Sequence, residues 1–120
     1  MNPMEAKKLA GDWIDAWNRH DLKAILSHYA HDVEFRSPFV EKILGDSSKT
    51  VKGIKKLKSY FAEGLKSFPD LHFKLMEVST SCGSVILYYH SVKGLIAAER
   101  MIFNPEGKIS KVTVDYENAA

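Results

Sequence analysis

Glu99, His90 and Tyr88 are the side chains of this sequence best suited to acid–base chemistry. A carboxyl set in an apolar cavity has its charged form disfavoured. Its pKa rises toward neutrality, where it can give and take a proton. A neighbouring histidine can carry the complementary proton. A tyrosine hydroxyl can donate to a developing enolate or carbonyl oxygen. Such a set supports proton transfer next to a ketone, dehydration or cyclisation. The competing reading is that Glu99 and His90 satisfy each other, or sit in water at a rim. The chain is then a non-catalytic ligand-binding or dimeric scaffold module. Glu77 is a second carboxyl of the same kind, nearer a strand end.

Other residue patterns carry less chemistry. His28-x-x-His31 has helical spacing but no carboxylate or thiol at ligand distance, so a solvated helix end outweighs a metal site. Cys82 is the only cysteine, in a turn with no basic partner, which excludes an internal disulfide and disfavours a nucleophile. There is no glycine loop of phosphate-cradling form and no spacing that argues for a Ser-His-Asp set. Neither a metal nor a cofactor is expected.

Turn chemistry decides which side chains share a face. Four strands, at about 70–80, 85–92, 95–103 and 108–117, are separated by Cys82-Gly83, Lys93-Gly94 and Asn104-Pro-Glu-Gly107. Read as two-, two- and four-residue connections, these place Tyr88 opposite Glu99 and Glu77, His90 opposite Ala97 and Leu75, and Glu99 opposite Val112. One face then holds Leu71, Phe73, Leu75, Glu77, Ile86, Tyr88, His90, Ala97, Glu99, Met101, Val112, Val114 and Tyr116. It is apolar with a small polar cluster, as a pocket under helices would be. The other face, with Val85, Leu87 and Tyr89 at its centre, suits a partner surface, here a second copy of the chain.

Helices precede the strands. Asn2, Pro3 and Glu5 form a capping signature, and Ala6, Ala10, Trp13, Ile14 and Trp17 fall on one stripe behind it. A hinge at His20-Asp21 leads to a second helix with Leu22, Ile25, Leu26 and Tyr29 inside. Val33, Phe35, Ser37 and Phe39 alternate with polar or exposed neighbours as a strand, and residues 41–52 read as a mobile loop. A third helix buries Ile54, Leu57, Phe61, Leu65 and Phe68 until Pro69 stops it. Three helices followed by a meander make an α+β, cone-shaped layout, the helices packed on a curved, mainly antiparallel sheet. The expected ligand-lining residues are Trp13, Trp17, Tyr29, Phe35, Ser37, Phe61, Phe73, Met101, Val112 and Tyr116.

The bulk properties agree with one domain spanning residues 1–120. The chain has 120 residues, 45% of them hydrophobic, enough for a proper core. Its net charge of +2 argues against nucleic acid or an anionic membrane as partner. The N-terminus lacks a signal-peptide pattern and no apolar run reaches transmembrane length, so a cytoplasmic setting is expected.

The runs Trp13-Ile-Asp-Ala-Trp-Asn-Arg-His-Asp-Leu22, Tyr29-Ala-His-Asp-Val-Glu-Phe35, Gly53-Ile54, Phe68-Pro-Asp-Leu-His-Phe73 and Phe103-Asn-Pro-Glu-Gly-Lys-Ile109 resemble the nuclear transport factor 2-like superfamily, in its SnoaL-like branch beside polyketide cyclases and ketosteroid isomerases. The resemblance spans nearly the whole chain and is specific for fold. It implies a curved sheet wrapped round a helix, a cavity for a small apolar organic ligand, and a homodimer through the convex sheet face. Residue by residue it is poorer in catalytic groups. The proton-shuttling aspartate of ketosteroid isomerases falls at Ser37, the oxyanion-hole tyrosine at Trp13, its supporting tyrosine at Phe61, and the second oxyanion-hole acid at Glu99. The acid–base pair of the cyclases falls at Glu99 and Val114. The relay of the limonene-type epoxide hydrolases cannot form, because Arg100 follows Glu99 directly and points to the opposite face.

Overall fold

The computed structural model describes residues 1–118. Helix α1 (Pro3–Asn18) begins at the expected capping box. The Glu5 amide donates to the Asn2 side chain at 2.8 Å, and the Asn2 amide donates to the Glu5 carboxylate at 3.2 Å. Helix α2 is one short turn, Leu22–Leu26, capped by Asp21. Strand β1 (Tyr29–Arg36) follows at once, so Tyr29 belongs to the sheet rather than to α2.

The sequence between β1 and the next long helix is ordered where a loop was expected. Ser37 caps a fourth helix, α3 (Pro38–Leu44), and Thr50–Lys52 forms a short strand β2 paired with β1. The alternation that suggested a strand through Phe39 stops at Arg36, because Pro38 suits a first helical turn and Ser37 supplies its cap. Helix α4 (Ile54–Ser67) buries Leu57, Tyr60 and Phe61.

Strands β3 (Lys74–Ser81), β4 (Ser84–His90), β5 (Leu95–Phe103) and β6 (Ile109–Asn118) complete a six-stranded sheet in the order β2-β1-β6-β5-β4-β3. Among the described residues only the β1–β6 pairing is parallel. The helices pack on one face, where aromatic rings interlock. Trp13 stacks on Phe73 with centroids 6.0 Å apart, and Phe61 meets Phe35 and Tyr29 edge-on at 5.4 Å and 5.5 Å.

The polar residues of the hinge hold this layer to the sheet. The Asn18 amide group donates to the Phe73 carbonyl at 2.9 Å and accepts from the Phe73 amide at 2.7 Å, as a strand backbone would. The His20 ring is 2.8 Å from the Leu71 carbonyl, and His20 itself is in the left-handed region at φ 54°. Thus Asn18 and His20 fix the end of α1 over residues 71–73. Among the described residues no helix is long and apolar enough to cross a membrane, and no three His, Cys, Asp or Glu side chains converge as a metal site.

Candidate functional site

Glu99 lies in β5 between Ala97 and Met101, and all three are buried under the helices. The alternation of β5 therefore sends a carboxyl into the apolar layer, leaving 2% of the residue exposed. The Tyr89 hydroxyl donates to one carboxyl oxygen, Oε1, at 2.6 Å. The other oxygen, Oε2, is buried and has no hydrogen-bond partner. Burial raises the Glu99 pKa from 4.5 to about 7, against a smaller lowering from the Tyr89 hydrogen bond. The acid is then poised between its two protonation states at neutral pH.

Glu99 borders a cavity walled by Trp13, Trp17, Phe35, Phe61, Phe73 and Tyr116, with Tyr60, Tyr89 and Leu71 among its other neighbours. Water centres can occupy about 60 Å³ of it. At about 12 Å³ per water that is room for roughly five molecules, or ~150 Å³ of liquid, the bulk of a compound of one ring. Burial also pushes the Tyr29, Tyr60, Tyr89 and Tyr116 phenols above their usual range, and the nearby Glu99 charge adds to each shift. All four therefore stay protonated near neutrality. The Ser37 hydroxyl opposes the shift at Tyr60 and Tyr116.

The structure brings together Glu99 and six of the ten expected lining residues: Trp13, Trp17, Phe35, Phe61, Phe73 and Tyr116. The other four are buried but do not line it. Met101 and Val112 are buried in the core. Tyr29 is buried and accepts from the Trp13 indole at 3.0 Å. Ser37 is buried as the cap of α3.

Tyr88 and His90 are not in the site. They lie on the outer face of β4, Tyr88 half-buried and His90 exposed, and Glu77 is exposed opposite Tyr88. The cause is the β4–β5 connection. Ser91 pairs with Leu95, its amide donating to the Leu95 carbonyl at 2.7 Å, so the loop has three residues, Val92–Gly94, instead of two. One extra residue turns β4 over. Leu87 then pairs with Glu99, and Val85, Leu87 and Tyr89 point inward. Tyr89 escaped the sequence reading for this reason. The signal for it is that Ser84 and His90, the polar ends of β4, share parity with Tyr88, while Val85 and Leu87 share parity with Tyr89.

The β5–β6 connection slips as well, yet harmlessly. Phe103 pairs with Ile109, one residue beyond expectation, and a bulge adds a second, so Glu99 opposes Val114 and Met101 opposes Val112. A slip of two preserves the face, and Val112, Val114 and Tyr116 stay inside. At Cys82-Gly83 the two-residue turn forms, with both residues at positive φ and Ser81 opposite Ser84.

Comparison with known proteins now decides the family. A profile described as SnoaL-like domain matches residues 10–110. The chain belongs to the SnoaL-like domain family. A SnoaL-like protein of unknown function from Burkholderia thailandensis shares 37% identity over 98% of both chains, with a TM-score of 0.93. Two further neighbours share the fold at low identity. One is a candidate ketosteroid isomerase from Kribbella flavida, at 16% identity over 98% of this chain and 81% of that one, TM-score 0.74. The other is SalBIII, an epoxide hydrolase/cyclase-like enzyme of pyran ring formation in the polyether salinomycin, at 15% identity over 97% and 93%, TM-score 0.74. No curated protein matches the sequence.

Proposed function

We propose that this SnoaL-like domain performs cofactor-free acid–base chemistry on a small apolar carbonyl compound, with Glu99 as the group that carries the proton. The observation behind this reading is the free Oε2 of a buried carboxyl titrating near 7 at an aromatic cavity. Tyr89 holds Oε1 and fixes the plane of the carboxyl, leaving Oε2 for the substrate. As a carboxylate, Glu99 takes a proton from the carbon next to the carbonyl, and the bonding pair moves into the enolate. As the acid, it returns that proton to the same carbon or to another. A general acid–base residue contributes about 10²–10⁴-fold.

Deuterium exchange at the α-carbon of cyclopentanone, followed by proton NMR, tests the proposal without a known substrate. The protein should accelerate the exchange, and Glu99→Gln should remove at least ~100-fold of that acceleration. Equal exchange with both proteins would leave a binding module.

A second copy of the chain is the proposed partner. The outer face carries Ile86, Tyr88, Ile96 and Ala98, all half-buried, beside Met76 at 51% and Ile102 at 39% exposure. Leu87, expected on that face, is inside, and Tyr88 takes its place there.

A further inference from the structure

Among the described residues, two buried side-chain polar atoms lack a hydrogen-bond partner, Glu99 Oε2 and Trp17 Nε1. Both residues line the same cavity. An unpaired buried polar group is costly, so native proteins leave few of them, and two beside one cavity need a common explanation. We propose that the Trp17 indole N–H is the donor that receives the carbonyl oxygen of the ligand. The site then takes a one-ring compound with a carbonyl directed at Trp17 and an adjacent carbon directed at Glu99. The choice of a carbonyl rests on the acid–base reading above; the donor role of Trp17 does not.

Three observations support the assignment. First, Trp13 provides an internal contrast. It lies one helical turn earlier on α1 and is also in the wall, but its N–H is spent on the Tyr29 hydroxyl at 3.0 Å. Second, Trp17 is held in place. Its ring meets Phe61 edge-on at 4.8 Å, Phe73 at 5.4 Å and Trp13 at 6.1 Å. Its N–H direction is therefore set before a ligand arrives. Third, both Nε1 and Oε2 are buried without a protein partner. A ligand oxygen that reaches the indole N–H gains the hydrogen bond without displacing a competing protein group. As the enolate forms, charge grows on that oxygen, and a donor aimed there is worth more in the transition state than before it.

Indole ¹⁵N–¹H NMR with two ligand pairs tests this: 2-cyclohexenone against cyclohexene, and cyclopentanone against cyclopentane. The ketones should shift the Trp17 indole proton downfield while leaving the Trp13 signal nearly in place. The hydrocarbons should not produce that downfield shift. Trp17→Phe should weaken the ketones about tenfold more than the hydrocarbons, the worth of one hydrogen bond. Ketones that bind with an unmoved Trp17 proton would overturn the proposal, and so would failure of every ketone to bind at millimolar concentration. The Trp17 shift should persist in Glu99→Gln. If it does while α-exchange is absent even from the unsubstituted protein, the acid–base reading fails and the donor assignment stands.

Discussion

Glu99 concentrates the consequences of this fold in one side chain. Its folded pKa of about 7 stands above its ordinary 4.5, so folding favours the protonated form. Below about pH 4.5 both states carry the proton and the full contribution to stability is present. Between 4.5 and 7 the unfolded chain loses its proton first, and stability falls as pH rises. Above 7 the folded protein must hold a buried charge and the loss is complete. A shift of this size corresponds to about 3 kcal/mol. Urea unfolding of Glu99→Gln should therefore give a stability that gains on the unsubstituted protein by that amount between pH 4.5 and 7 and then runs parallel. A gap independent of pH would contradict the burial of an ionisable acid. Tyr89 moderates the shift without cancelling it, since its hydroxyl stabilises the carboxylate. The two residues have to be read together, and only Glu99 was legible in the sequence. A lone glutamate among Ala97, Met101 and the inward residues of β6 leaves few alternatives, whereas Tyr88-Tyr89 offers the same ring to both faces.

Connections decided how much more could be read at the level of elements. The capping residues of α1, the hinge and the amphipathic stripes were legible because each is a local pattern with a local cause. Hairpin register is not local. One residue more in Val92–Gly94 moved Tyr88 and His90 out of the site, while a longer loop before β6 and a bulge at its start cancelled in parity. Lys93 shows why the first was hard to see. It adopts φ 57° without being glycine, so no residue type marks the turn as starting at Val92. Glycine is the usual sign of that conformation. Helix α3 was hidden by a similar competition. Phe39 continues the alternation of β1, but Ser37 and Pro38 form a helix start. The helix then places the Phe39 ring 4.8 Å from Tyr116 at the cavity wall.

The whole molecule presents two different faces of one sheet. The inner face is covered by helices around the cavity, and the outer face is left with half-buried apolar side chains between charged ends. The β4 register sets both at once, giving Tyr89 to the acid and Tyr88 to the outside. Light scattering should report a dimer, and Tyr88→Glu should reduce it to the monomer mass without altering the fold by circular dichroism. A monomer at the outset, or an unaltered dimer, would contradict the outer face as the interface. The proposed chemistry depends on the inner face alone, through the state of its carboxyl. Carboxyl ¹³C NMR of Glu99 across pH 3 to 9 tests that directly. A midpoint near 7 is the result expected of an acid buried between Tyr89 and the aromatic wall; a midpoint at the ordinary 4.5 would contradict it.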